Sequence, residues 1–168
     1  MLIDKVATLR ELGMKCLVVN HVTDSRVCGE FVETHDSISI PAVKSDSLLT
    51  VSTIGYDAVA IDEAQFFTNL KLAVLNMVEK KGQHVIVAGL SGDYLRRPFG
   101  ELLELVPYAD TVVWTRAMCG ICATVKASFT LRLSEETQKV SVDSTYVPTC
   151  RGCYMNRMST RPNGKSTI

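Results

Sequence analysis

Four of the six cysteines in this chain stand as two Cys-x-x-Cys pairs, Cys119/Cys122 and Cys150/Cys153. Two intervening residues let a tight turn aim both sulfurs at one centre. Two such turns supply the four thiolates that a structural zinc ion takes. Residues 123–149 separate the pairs, which leaves room for one β-hairpin. A disulfide scaffold is the weaker reading, because nothing in the chain resembles a secreted protein. A redox pair would ordinarily stand alone at the start of a helix. Cys16 and Cys28 lie apart from both pairs and read as core or loop thiols.

Carboxylates come next. Asp62-Glu63 directly follows the apolar run Asp57-Ala58-Val59-Ala60-Ile61. An aspartate there can hold a magnesium ion beside nucleotide phosphates, and the adjacent glutamate can take a proton from a hydroxyl nucleophile. Two solvated acids opening a loop fit the spacing equally well, and the flanking Gln65-Phe66-Phe67 weighs for a base pocket. Asp24-Ser25-Arg26, after the first apolar run, suits either the ordering of phosphates or an ordinary surface ion pair. His35 and Asp36 have the same two readings. A third group joins Leu90-Ser91-Gly92-Asp93-Tyr94 to Arg96-Arg97-Pro98-Phe99-Gly100. Its arginines and aromatics suit an anionic, planar ligand, or a plain exposed loop.

The elements that must position these groups are legible in outline. Leu2, Ile3, Val6, Leu9 and Leu12 recur at helical spacing ahead of Gly13. Cys16–Asn20, Asp57–Ile61, His84–Ala88 and Thr111–Trp114 read as apolar strands, with a further short strand near Ile38–Ile40. Helices are expected over Asp46–Val51, from a Thr68 cap to Gly82, and through Leu102–Leu105 as far as Pro107. Apolar strands alternating with helices imply an α/β fold with a parallel sheet covered on both faces, whose ligands bind at the carboxyl ends of the strands. The domain reading is an α/β domain over 1–115, a zinc ribbon over 116–154 and a disordered polar tail over 155–168.

Hydrophobic residues make up 46% and charged residues 21%, the balance of an ordinary soluble globular protein. Lys+Arg and Asp+Glu are 18 each, so net charge recommends neither nucleic acid nor membrane as a partner. No apolar run approaches a bilayer's thickness, and Met1-Leu2-Ile3-Asp4-Lys5 lacks the basic start and apolar core of a signal peptide. With free thiols and a zinc ribbon, the expected compartment is the cytoplasm.

Taken in order, Asp24-Ser25-Arg26, Thr34-His35-Asp36, Ile61-Asp62-Glu63-Ala64-Gln65-Phe66-Phe67, Arg97-Pro98-Phe99-Gly100 and both cysteine pairs resemble the zinc-containing, cytosolic-type thymidine kinases. The match runs from Leu2 to Tyr154. It implies a sheet of the RecA-like, phosphate-loop NTPase type with a C-terminal zinc ribbon. It also implies a homotetramer and transfer of the ATP γ-phosphate, with magnesium, to the 5′-hydroxyl of thymidine. Asp62 then matches the acid near magnesium and Glu63 the base. Asp24 and Arg26 match residues that organise metal and phosphates. Phe66 or Phe67, together with Tyr94, matches the aromatics around thymine. Thr130 matches a pocket threonine, and Tyr146 a tyrosine of the loop that wraps the nucleoside. The zinc is structural in this reading.

The chain departs from that pattern in three places. The family's glycine-rich phosphate loop and the strand ahead of it would precede Leu2, and these 168 residues do not include them, so the chain made alone is expected to have little kinase activity. The absent strand belongs near the sheet's centre. The wrapping loop between Val142 and Tyr146 is short and lacks glycines, and Ser91 stands where an acid is common. Gly164-Lys165-Ser166-Thr167 looks like half a phosphate loop, but Ser159 occupies the earlier glycine position and no strand precedes it. The rival reading is a catalytically dead remnant or interaction subunit that keeps the ribbon and assembles with intact kinase subunits.

Overall fold

The computed structural model describes residues 1–24, 31–33, 38–133 and 145–159. The chain divides into two compact units: Met1–Ser91 with Phe99–Ala109, and Gly92–Pro98 with Asp110–Ile168.

The first unit is built on four parallel strands in the order β4-β1-β5-β6, with β1 at Cys16–His21, β4 at Val43–Ser45, β5 at Ala58–Asp62 and β6 at His84–Val87. Strand residues alternate between faces, so a continuous apolar run must be covered on both. On one face Leu17, Val19, Val59 and Ile61 pack with Phe67, Leu70, Ala73, Val74, Met77 and Leu105. On the other, Val18 and Ala60 pack with Ile3, Val6, Val32 and Ala42. Val19, Val59 and Ile61 are fully buried, each contributing about 1.5–3 kcal/mol of transfer free energy. The α/β class and the parallel sheet read from the sequence therefore hold. Two short strands, β2 at Phe31–Glu33 and β3 at Ser39–Pro41, form an antiparallel pair of their own.

Helix α1 (Leu2–Glu11) ends as its sequence predicts. Gly13 takes φ +83°, its N–H bonds to the Arg10 carbonyl, and the Met14 N–H reaches back to Leu9. Helix α2 (Leu70–Leu75), continued by wider π-type turns over Asn76–Lys80, is capped differently from expectation. Thr68 does not cap it. Asn69 is left-handed at φ +58°, and the Glu101 carboxylate, distant in sequence, accepts the N–H groups of Asn69 and Lys71 at 3.2 and 3.0 Å. A carboxylate at a helix N-terminus satisfies orphan donors and complements the dipole.

Two further expectations need correction. Asp46–Val51 is not helical, because the hydroxyls of Ser45 and Ser47 take up the nearby N–H groups in turns. Thr111–Trp114 is not a strand. Among the described residues it has no strand partner, and Val112, Val113 and Trp114 are exposed, Trp114 to 60%. Apolar character alone does not satisfy a strand's backbone groups. The four parallel strands end at β6, which is only half-buried.

The second unit carries the antiparallel pair β7 (Phe129–Arg132) and β8 (Tyr146–Thr149), in the register Phe129↔Thr149 to Arg132↔Tyr146. Helix α3 follows at Arg151–Ser159, so residues 155–159 are helical and not part of a tail. No helix among the described residues is long and apolar enough to cross a membrane.

Candidate active site and metal centre

The carboxyl ends of β1 and β5 bring three carboxylates together. One oxygen from each of Asp24, Asp62 and Glu63 lies within 4.8 Å of the other two, close enough to share a metal ion. Asp62 is the last residue of β5 and sits opposite Asn20 on β1. Asp24 lies just beyond β1 and is buried. Its carboxylate accepts the Asn20 Nδ2 at 3.0 Å, and its backbone carbonyl accepts Lys44 Nζ from β4. Ser25, Arg26, His35 and Asp36 lie outside the described residues.

Glu63 adopts φ +51°, ψ +39°, a left-handed conformation that costs a side-chain-bearing residue energy. The turn it makes directs its side chain back toward Gln65, whose Nε2 donates to the Glu63 carboxylate at 2.6 Å. Gln65 is itself pinned: its Oε1 accepts the Leu90 N–H at 2.9 Å. Two glycines make room for it. A Cβ on Gly89 would stand 2.5 Å from Gln65 Oε1, and one on Gly100 2.4 Å from the Gln65 carbonyl oxygen.

Beside the carboxylates lies an aromatic group. His21 meets Phe66 at 5.5 Å between ring centroids and the edge of Phe67 at 4.7 Å, and Phe66 meets Phe99 edge-on at 5.4 Å. Phe66 is half-buried and Phe67 is a core residue, so of the two only Phe66 offers a face to a ligand. Burial pulls the His21 imidazole below its usual range, against opposing pulls from Asp46 and Glu63.

In the second unit, Tyr94 and Tyr146 flank Arg132. Its side chain is fully buried, its guanidinium is 4.1 Å from the Tyr94 ring centroid and 5.2 Å from that of Tyr146, and its Nη2 donates to the Tyr146 hydroxyl at 2.6 Å. Thr130 is half-buried in β7 opposite Pro148. The turn at Gly92–Pro98 is locked by buried Asp93, which accepts the N–H groups of Leu95 and Arg97 and pairs with the Arg97 Nε at 3.0 Å. Arg96, at φ +64°, stacks 4.9 Å from the Tyr154 centroid. Both arginines of this loop therefore have structural partners.

The four cysteines converge. The Sγ atoms of Cys119, Cys122, Cys150 and Cys153 all lie within 4.8 Å of one another, Cys119 buried and the rest half-buried. The first pair is shaped by left-handed Ala123 (φ +54°) and by Gly120, where a Cβ would stand 2.6 Å from Val147 Cγ1. The Cys150 N–H points at Cys119 Sγ at 3.3 Å, and the Thr124 hydroxyl at Cys122 Sγ at 3.1 Å. Backbone N–H groups of Cys122 and Cys150 pull the Cys119 thiol down to about 6, while contact with Cys150, then burial, pushes Cys153 up to about 12. Four sulfurs this close cannot all ionise unless a cation sits among them, and a four-sulfur donor set fits a tetrahedral metal site.

The sequence profile of the family described as thymidine kinase matches residues 1–154. The chain belongs to the thymidine kinase family. Thymidine kinase a of Arabidopsis thaliana is 37% identical over 152 residues, covering 85% of this chain and 63% of that protein. The thymidine kinase of Yaba monkey tumor virus (strain VR587) is 38% identical over 144 residues, 83% of this chain and 77% of the viral one. The human protein named thymidine kinase, cytosolic, is 35% identical over 154 residues, 89% and 64% respectively. The chain thus spans just under two thirds of the plant and human thymidine kinases.

Sequence reasoning singled out Asp24, Asp62 and Glu63, named Gln65 only with the flanking aromatics, and passed over Asn20 and Arg132. Asn20 left a faint mark as a polar residue in an otherwise apolar run, whereas Arg132 falls at a polar position of the alternating run Phe129–Leu133 and looks like an ordinary surface residue.

Proposed function

We propose that this chain is the catalytic core of a thymidine kinase, moving the γ-phosphoryl group of ATP to the 5′-hydroxyl of thymidine. The three carboxylates gathered at the carboxyl ends of β1 and β5 carry this reading. Asp24 and Asp62 would hold magnesium bound with ATP, which supplies neutralisation of charge on the transferring group. Arg26, by the family resemblance, would neutralise charge on the phosphates. Glu63, held by Gln65, accepts the proton of the 5′-hydroxyl as its oxygen bonds to the γ-phosphorus and the bond to the β–γ bridging oxygen breaks, releasing ADP. By the family resemblance, Phe66 or Phe67 in the first unit and Tyr94, Thr130 and Tyr146 in the second are assigned to nucleoside recognition, and Arg132 fixes the two tyrosines.

The four cysteines hold a structural zinc ion, and the protein works as a cytoplasmic homotetramer. Family membership and the donor set support these assignments. Made by themselves, the 168 residues would transfer phosphate slowly, since their sequence contains no Gly-x-x-x-x-Gly-Lys-[Ser/Thr] motif to cradle phosphates. Turnover at the about 1–100 per second of ordinary kinases would contradict that.

Nucleoside binding tests the assignment without requiring turnover. Calorimetric titration of the zinc-loaded chain should show thymidine binding at one site per chain, with deoxycytidine binding at least tenfold more weakly. Equal binding of the two, or of neither, would refute the proposal.

A further inference from the structure

Asn20 is wholly buried, and its carbonyl oxygen Oδ1 has no hydrogen-bond partner among the described residues. A buried acceptor left unpaired is destabilising, so its retention asks for an occupant. The location suggests which one. The amide lies against the carboxylate cluster: its Nδ2 donates to Asp24 Oδ2 at 3.0 Å, and its residue is the cross-strand partner of Asp62. Because parallel partners point their side chains to the same face, Asn20 and Asp62 share one side of the sheet at its carboxyl end. The amide's orientation follows from chemistry, since only nitrogen can donate to the Asp24 carboxylate, and this leaves oxygen as the orphan. Gln83 shows the contrast. Its Oε1 is also unpaired among the described residues, but its amide nitrogen donates to the Thr53 and Tyr56 carbonyls rather than to a carboxylate.

We infer that Asn20 belongs to the cation site, its Oδ1 accepting a hydrogen bond from a water of the divalent ion held by Asp24 and Asp62. Magnesium gives up its waters reluctantly and prefers one or two carboxylates plus waters that the protein holds by hydrogen bonds. One face of the Asn20 amide fixes a ligand and the other receives a water, so both polar atoms are satisfied only when the ion is bound. This deepens the proposed function and rests on the carboxylates being its cation site.

Manganese, a paramagnetic stand-in for magnesium, provides the test, with free Mn2+ followed by electron paramagnetic resonance in the zinc-loaded chain. Asn20→Leu should weaken Mn2+ binding about tenfold, the lower end of what losing such a supporting group costs. Its metal-free melting temperature should hold or rise, because the orphan acceptor is gone. Asn20→Asp separates the inference from a purely structural role. Losing the donation to Asp24 would loosen the site if Asn20 only positioned that carboxylate, whereas an oxygen facing the ion predicts Mn2+ binding at least threefold tighter. Mn2+ affinity of the Asn20→Leu variant within twofold of the parent, or weakened binding by Asn20→Asp, would overturn the inference. Asp62→Asn isolates the underlying reading: if it too leaves Mn2+ affinity unchanged, the carboxylates are not the cation site.

Discussion

Glu63 holds its carboxylate in place through an unfavourable backbone conformation and one short hydrogen bond, and both depend on Gln65 fitting its slot. Gly100 is the tightest point of that slot. It lies at φ +62°, and an added Cβ would collide with the Gln65 backbone at 2.4 Å. Gly82 has nearly the same φ, +64°, with nothing within 4 Å. The pair separates backbone strain from collision: Gly82→Ala should cost about 1 kcal/mol, and Gly100→Ala at least about 2 kcal/mol more. Urea denaturation of both variants measures this, and equal losses would show that the slot is not tight. At this scale the sequence revealed residues whose chemistry follows from type and position, Asp62 and Glu63 after an apolar strand above all. Gln65 and Asn20 stayed hidden because their roles come from partners that only folding brings near, Leu90 for one and Asp24 for the other.

At the scale of elements, the strands that proved legible are those with continuous apolar runs. β1, β5 and β6 lie where continuous apolar runs put them, whereas β4, a three-residue edge strand, has too little sequence to show a pattern. Thr111–Trp114 has the composition of a strand and lacks a partner among the described residues. The cap of α2 was misplaced because its carboxylate comes from Glu101 rather than from a neighbouring residue. The β7–β8 pair was legible through its flanking cysteines, and they should also control its stability. Structural zinc contributes on the order of 10 kcal/mol to folding a small ribbon. Chelation should therefore strip hydrogen-exchange protection from Leu131 and Thr149 while Val59 and Ile61 keep theirs. Unchanged protection across β7 and β8 would mean that no metal holds the pair.

The whole molecule gathers a carboxylate group in one compact unit and a cysteine group in the other, under a balanced charge of 18 basic and 18 acidic residues. The ordered motifs made the family legible because the chain carries them from Asp24 to Cys153 at their expected spacings. The division into units was less legible, since residues 92–98 join the second unit although their neighbours on both sides belong to the first. Sequence adjacency gives no hint of such an exchange. The central claim is that Glu63 receives the proton of thymidine's 5′-hydroxyl. A crystal structure of the zinc-loaded chain with thymidine tests it by one distance. The account predicts the 5′-oxygen within about 3.2 Å of a Glu63 carboxylate oxygen, the reach of a general base. A bound thymidine whose 5′-oxygen lies beyond hydrogen-bonding reach of Glu63, with no bridging water, would contradict it.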